Sequence, residues 1–561
     1  MLISDNQLLA IVEKTGVLTP QKAIEVKDYA QSANIPLDEA LIERDVLSDE
    51  NLGILIADTL KIPFVTLAKM DIPPDVFTII PERFARKHKV IPFGRAKDGV
   101  KLAMVDPSNR EVLEMVAKKT GQRVYPHLAT DRDIYNTLSI YRKDLQKTFN
   151  TLVGNSGVIH APITITNAPI EKIVDLIINY AYQDKSSDIH IEPQEETSLV
   201  RYRIDGILHD VLTVPKKLHE QIIARIKVLS RLRTDEHLAP QDGKMRVHLA
   251  EEDLDIRVSI LPIVEGEKVV LRLLASRFRL FSLMDLGMNE KDLDKVSRGI
   301  KRSYGMVLST GPTGSGKTTS IYAILKILNS RAKNITTIED PVEYRIKGIN
   351  QIQVNSKTSL TFANGLRSIL RQDPNIVFVG EIRDNETAGI AVNAALTGHL
   401  VVSTLHTNDA ATALPRLVDM GVEPFLVAST VNVIIAQRLM RKICDMCKTS
   451  LNTSLVELSK KIPEAAVIKN FGNRQDLRVY EGKGCKLCHS TGYKGRVGAF
   501  EVLEVTNEIR KLITNKQDAM IVVQQAIKEG MTTMLDDGLQ KVAKGVTTLE
   551  EVLRVTKVET V

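Results

Sequence analysis

The spacing of apolar residues changes several times along this 561-residue chain, and each change marks a unit. Within residues 1–70, Leu8-Leu9, Ile11-Val12 and Val17-Leu18 recur at helical spacing, Thr19-Pro20 caps and opens a further helix, and Pro36 and Pro63 punctuate later turns. A small helical module is expected there. Over residues 71–141 the pattern shifts: 90–93 and 100–105 read as strands around the turn Lys97-Asp98-Gly99, and 109–119 reads as a helix, giving a compact α/β subdomain. The basic run from Arg83 to Lys89 fits one solvated helix face. Residues 142–167 lose periodicity around Gly154, Gly157 and Pro162 and read as a flexible linker. Across 168–280 an α/β pattern resumes, with helices at 170–182 and 218–229 and strands at 187–192, 199–204, 255–261 and 268–274.

From residue 281 the strands are of another kind. The runs 306–310, 335–338, 376–379 and 400–404 are short, rich in Val, Ile and Leu, and do not alternate; helical sequence separates them. A parallel sheet buried on both faces requires that pattern. After about residue 490 the chain reads as a helical cap. The fold class is therefore α/β, in several domains, as the length also demands.

Composition narrows the picture little. Hydrophobic content of 43% and charged content of 26% are ordinary for a folded chain. The longest apolar windows, such as 427–436, fall short of a membrane span, and the start carries acids early and lacks a basic region with a small-residue cleavage site, so a cytoplasmic location is expected. The net charge of +6 is scattered among acids, and aromatics, at 4%, do not interleave with Lys and Arg, so no nucleic-acid partner is expected.

Candidate chemistry changes the picture more. After the apolar run Met306-Val307-Leu308 comes Gly311-Pro312-Thr313-Gly314-Ser315-Gly316-Lys317-Thr318-Thr319, a phosphate loop. Its glycines let backbone N–H groups turn toward a polyanion, and the helix that starts near Gly316 adds its positive end. Lys317 is placed for the β- and γ-phosphates of ATP and the Thr318 hydroxyl for Mg²⁺. Acids follow two strands at their carboxyl ends, where doubly wound sheets hold ligands: Glu339, Asp340 and Glu343 after the first, Glu381 after the second. One of the first group can orient the attacking water. Gly380 stands where many phosphate-loop enzymes carry Asp, which leaves Glu381 to serve the Mg²⁺ side. His399 and His406 frame the strand 400–404 and are candidates for sensing phosphate state or bridging to a neighbouring subunit. The four cysteines fall as Cys444-x-x-Cys447 and Cys485-x-x-Cys488, with the intervening loop of 37 residues, a pattern for structural Zn²⁺ with all four positions filled by thiolates.

These segments together resemble the secretion ATPases of the type II secretion and type IV pilus assembly class. GPTGSGKTT, TIEDPVE, DPNIVFVGEIRD and TGHLVVSTLHTN match that family's Walker A, Asp, Walker B and His boxes in order; SDIHIEP, RYRIDG, PQDGK, RVSILPIVEGEKVVLRLL, the tetracysteine and GYKGRVGAFE also fit, over residues 70–561. The resemblance implies a RecA-like motor domain at 281–561, with a zinc subdomain at about 440–492, preceded by a PAS-like domain at 168–280. It further implies a homo-hexameric ring with ATP held in the cleft between those domains. Glu343 would be the catalytic glutamate, Glu381 the Walker B glutamate, and Arg257 and Arg272 the arginines that reach the γ-phosphate. Cyclic di-GMP is not expected, because residues 1–70 lack the Arg-Leu-Gly signature of relatives that bind it; residues 1–141 are read as a docking module for a cytoplasmic partner.

The expected function is a motor at the inner face of the plasma membrane that couples ATP hydrolysis to type IV pilus assembly through an inner-membrane platform protein. Type II secretion is the alternative, and a DNA translocase or a non-hydrolysing nucleotide scaffold are rivals from other classes.

Overall fold

The computed structural model describes the chain except residues 1–2, 16–17, 34, 45, 68–69, 71, 139–144, 154–168, 250–251, 275–281, 475, 486–487 and 557–561. The predicted position of Val17 and most of the predicted linker lie outside the described residues.

The amino-terminal unit is helical, as expected: Asp5–Lys14, Pro20–Ala33, Leu37–Glu43 and Asp49–Leu60 enclose Leu8, Val12, Tyr29, Leu37 and Leu41. Ser4 and Gln7 close the first helix with a reciprocal capping box. The next unit is a sheet of β1 (Val90–Ala96), β2 (Gly99–Met104) and β3 (Arg123–Leu128), in which β1–β2 is antiparallel and β2–β3 parallel. It begins earlier than residue 71, since Phe64 bridges to Leu128 and the Val65 N–H donates to the Leu128 carbonyl at 2.9 Å.

Part of the stretch expected to be aperiodic is ordered. Leu145–Val153 is a helix whose Leu145 and Phe149 are buried in the core of the following domain. Their i, i+4 spacing was present in the sequence, but without a cap or a third turn it was too short to stand out.

That following domain is an antiparallel sheet of β4 (Asp188–Pro193), β5 (Thr197–Ile204), β6 (Ile207–Pro215), β7 (Gln241–His248), β8 (Asp253–Ile263) and β9 (Gly266–Leu274), in the order β6-β5-β4-β9-β8-β7. Helices Ile170–Gln183 and Lys216–Leu229 cover one face, burying Ile173, Ile177, Ile222 and Ile226 against Ile189, Ile191, Leu271 and Val258. The opposite face is polar.

The motor sheet contains β10 (Gly305–Thr310), β11 (Ile335–Glu339), β12 (Asn350–Gln353), β13 (Ile376–Val379), β14 (Leu400–Leu405), β15 (Val431–Ile443) and a last strand at Tyr493–Glu504, in the order β12-β11-β13-β14-β10-β15 and then that strand. All pairings are parallel except the final one. Every residue of β10, β11, β13 and β14 is buried, which is why these segments show no alternation of apolar and polar positions. The expectation of an all-helical cap after residue 490 is corrected by the strand Tyr493–Glu504, which pairs antiparallel with β15; helices follow only from Asn507. Between those two strands the chain forms a further ribbon of β16 (Lys448–Ser454) and β17 (Asp476–Gly482); with it, the last strand is β18.

Candidate functional site

The phosphate loop joins β10 to the helix Lys317–Leu328 and has the conformation its glycines permit. Gly311, Gly314 and Gly316 have φ of 146°, 78° and 90°. A Cβ on Gly311 would lie 2.5 Å from the Gln437 carbonyl oxygen, so the loop also needs glycine for space. Gly316 is the N-cap and no side chain caps the helix, which leaves its first-turn N–H groups for an anion. The Lys317 ammonium donates to the carbonyls of Gly311 at 2.8 Å and Pro312 at 3.1 Å. Burial lowers its pKa, with the nearby Glu381 opposing the shift. These residues fit a nucleoside triphosphate. The sequence reading missed Gln437, buried on β15, whose amide donates to the Ser315 carbonyl at 2.7 Å and so braces the loop from the side.

The acids end at the same edge of the sheet. Glu381 follows β13 and accepts from Arg383 at 2.6 Å and from the His406 ring at 3.2 Å. Gly380, in the place expected for Asp, is tight: a Cβ there would come within 3.2 Å of the Ile338 carbonyl and 3.3 Å of the Glu339 Cα. Glu339 is only 2% exposed, whereas the Glu343 carboxylate is partly open to the cleft.

Two sheets meet at Glu343. Arg257 of β8 reaches its carboxylate at 3.3 Å and donates to the Val342 carbonyl at 2.9 Å. Arg272, directly opposite Arg257 in the β8–β9 ladder, is instead held by Asp188 at 3.0 Å. The ladder continues the row, with Lys244 beside Arg257, Asp188 beside Arg272 and Arg203 beyond it, so one row of the polar face carries four cations and one buried carboxylate. Such a row favours a polyanion in the cleft.

The two histidines part company. His406 lies with Glu381 at the carboxyl end of β14; His399 precedes the strand and hydrogen-bonds the Ala394 carbonyl at 3.0 Å. Seven residues of extended chain at about 3.3 Å each put them roughly 23 Å apart, so within one chain His399 is not beside the phosphate loop.

The cysteines converge as the spacing predicts. All four sulfurs lie within 4.8 Å of one another, with Cys444–Cys485 at 3.8 Å, Cys447–Cys488 at 3.9 Å and Cys485–Cys488 at 3.7 Å. Tetrahedral Zn²⁺ with Zn–S bonds of about 2.3 Å requires sulfurs about 3.8 Å apart. Although burial opposes it, N–H donors from Cys485 and Gly492 bring the Cys488 thiol down to about 7. The site suits a closed structural zinc.

Residues 164–554 match the type II/IV secretion system protein family. The chain belongs to that family. Residues 60–146 match the MshEN domain, in keeping with the early start of the small α/β unit. A type IV pilus assembly ATPase PilB from Myxococcus xanthus is 37% identical, with 98% of each chain covered, and one from Pseudomonas aeruginosa is 36% identical, with 97% of each covered. The type II secretion system protein E of Pseudomonas aeruginosa is 46% identical over 70% of this chain and 76% of its own. Among solved structures, the ATPase DotB of Legionella pneumophila superposes with a TM-score of 0.52 at 20% identity, covering 71% of this chain and 97% of that one, a likeness of fold. Among the described residues of this secretion-family chain, no helix is long and apolar enough to cross a membrane.

Proposed function

We propose that this chain is a type IV pilus assembly ATPase, working as a hexameric ring on the cytoplasmic face of the inner membrane against a platform protein. Similarity to pilus assembly ATPases over nearly the whole length, amino-terminal modules included, favours it over type II secretion, whose named relatives match only the part shared by both.

The observation that carries the ATPase reading is Arg257 seated on the Glu343 loop at the mouth of the phosphate-loop cleft. In this reading the backbone N–H groups from Gly311 to Thr319, Pro312 excepted, and the Lys317 ammonium bind the β- and γ-phosphates, and Thr318 and Glu381 would hold Mg²⁺. That ion supplies charge neutralisation on the phosphates when bound. Glu343 orients and deprotonates the attacking water. Arg257 moves from Glu343 to the phosphoryl group as charge develops there, and Arg272 follows once released from Asp188. Glu339 is not the base, because burial keeps it from water. Cys444, Cys447, Cys485 and Cys488 hold zinc for structure alone.

Two measurements test the proposal. The purified chain should release phosphate from ATP, and Glu343→Gln should abolish release while keeping ATP binding; equal rates would sink the assignment of Glu343. In a host lacking its own copy, restored pilus extension supports pilus assembly, whereas restored protein secretion without pili supports the alternative.

A further inference from the structure

The phosphate-loop helix carries on its second turn a fully buried tyrosine, Tyr322, whose hydroxyl reaches the acid-bearing loop. That hydroxyl donates to a Glu339 carboxylate oxygen and accepts from the backbone N–H of Glu343 at 3.3 Å. The other Glu339 oxygen accepts from the Thr337 hydroxyl at 2.6 Å and the Gln351 amide at 3.1 Å. The Gln351 amide group also donates to the Tyr344 carbonyl at 3.1 Å, and its oxygen accepts the Ile346 N–H at 2.7 Å. The Tyr322 ring packs edge-on against Tyr344 at 4.6 Å and Phe378 at 6.3 Å. Burial raises the pKa of Glu339, and the three donors around it pull the other way.

We propose that Tyr322 is a positioning residue for Glu343: its hydroxyl ties the backbone of the catalytic glutamate to the helix that follows the phosphate loop, with Glu339 as the buried anchor. The inference rests on the ATPase reading above. Its physical basis is that the tether joins the two segments whose separation sets the distance from carboxylate to γ-phosphate. The segment from Asp340 to Tyr344 leaves the sheet, so strand pairing does not fix Glu343; its backbone is held by Tyr322 at Glu343, by Gln351 at Tyr344 and Ile346, and from the other sheet by Arg257 at Val342. A displacement of about 1 Å at such a group costs on the order of a hundredfold in rate. Tyr322 and Phe378 are both fully buried, so water does not replace the hydroxyl once it is removed.

The test is Tyr322→Phe in the full chain, which keeps the ring and removes the tether. The expected result is a kcat lower by about 10- to 100-fold, with the ATP KM and the affinity for a non-hydrolysable ATP analogue within about twofold of wild type, and a melting temperature within a few degrees. A kcat within twofold of wild type would overturn the inference while leaving the ATPase reading intact. So would a kcat lost in step with analogue binding or with folding, which marks a structural role. A wild-type chain without turnover would overturn both.

Discussion

Arg257 and Glu343 stand 86 residues apart in sequence and 3.3 Å apart in space, the guanidinium of one sheet resting on the acid loop of another. In this arrangement the arginine neutralises the carboxylate that, on the proposed reading, acts on water. On that reading, removal of Arg257 does two opposing things: it frees Glu343, and it deprives the developing phosphoryl charge of one cation. The second effect should dominate, because an arginine at a phosphoryl transition state contributes about 10³–10⁵ in kcat. Arg257→Gln is expected to lower kcat by at least about a hundredfold while an ATP analogue still binds. Arg257→Lys should recover little, since a point charge cannot fork between the Val342 carbonyl and a second acceptor. Single-turnover hydrolysis and analogue binding measured side by side decide it; unchanged kcat in Arg257→Gln would show that the pair only latches the cleft.

What the chain displayed as sequence and what it concealed divide along a physical line. The buried parallel strands were legible because burial on both faces removes the in–out alternation and leaves short runs rich in Val, Ile and Leu, and the phosphate loop and cysteines because their chemistry fixes local spacing. The strands Val431–Ile443 and Tyr493–Glu504 were not, since buried polar residues such as Gln437 and Glu501 interrupt them and their partners are far off in sequence: β10 and Tyr493–Glu504 flank the first, and the second pairs with the first alone. Arg257 on Glu343, Gln437 under the phosphate loop and Tyr322 beneath the acids are all contacts across long sequence separation, and nothing in local periodicity reports them. The separation of His399 from His406, by contrast, follows from strand length alone.

The tetracysteine site should hold one zinc per chain. Its removal by a strong chelator, or Cys444→Ser, should lower the melting temperature of the motor domain, because the ligand-bearing turns Cys444–Cys447 and Cys485–Cys488 flank the two-stranded ribbon and have little other core. Binding free energy at such a site is folding free energy. Metal content by mass spectrometry and thermal unfolding with and without added Zn²⁺ give the answer; full stability after quantitative zinc loss would refute the structural role.

Glu551 gives a pH-dependent prediction. Although burial would raise its pKa, paired hydrogen bonds from Arg554 and Arg441, and the Arg441 backbone N–H, hold the carboxyl at about 2, below its ordinary value of 4.5. A depressed carboxyl pKa stabilises the fold above the unfolded-state value, and that stability fades as pH falls from 4.5 toward 2. The shift is worth about 3 kcal/mol. Glu551→Gln should therefore melt well below wild type at pH 7, and the gap should close as pH is lowered through 4 and 3. A gap that is constant with pH would mean the contact is packing rather than charge.

The last prediction concerns the seam between the amino-terminal helices and the motor. Arg44 donates to the carbonyl of Ile327 and, at 2.8 Å, to that of Asn329, capping the carboxyl end of the helix that begins at Lys317. A cation there satisfies orphan carbonyls and meets the negative end of the helix dipole, worth about 2 kcal/mol for two charge-assisted bonds. A second tie, Arg132 to Asp285 at 3.1 Å, joins the small α/β unit to the start of the motor domain. Arg44→Ala should undock the helical module without unfolding it: amide exchange should rise in Leu37–Glu43 and at the end of Lys317–Leu328, with the core of the motor sheet unchanged. Exchange that is unaltered at both segments would show that other contacts hold the module in place.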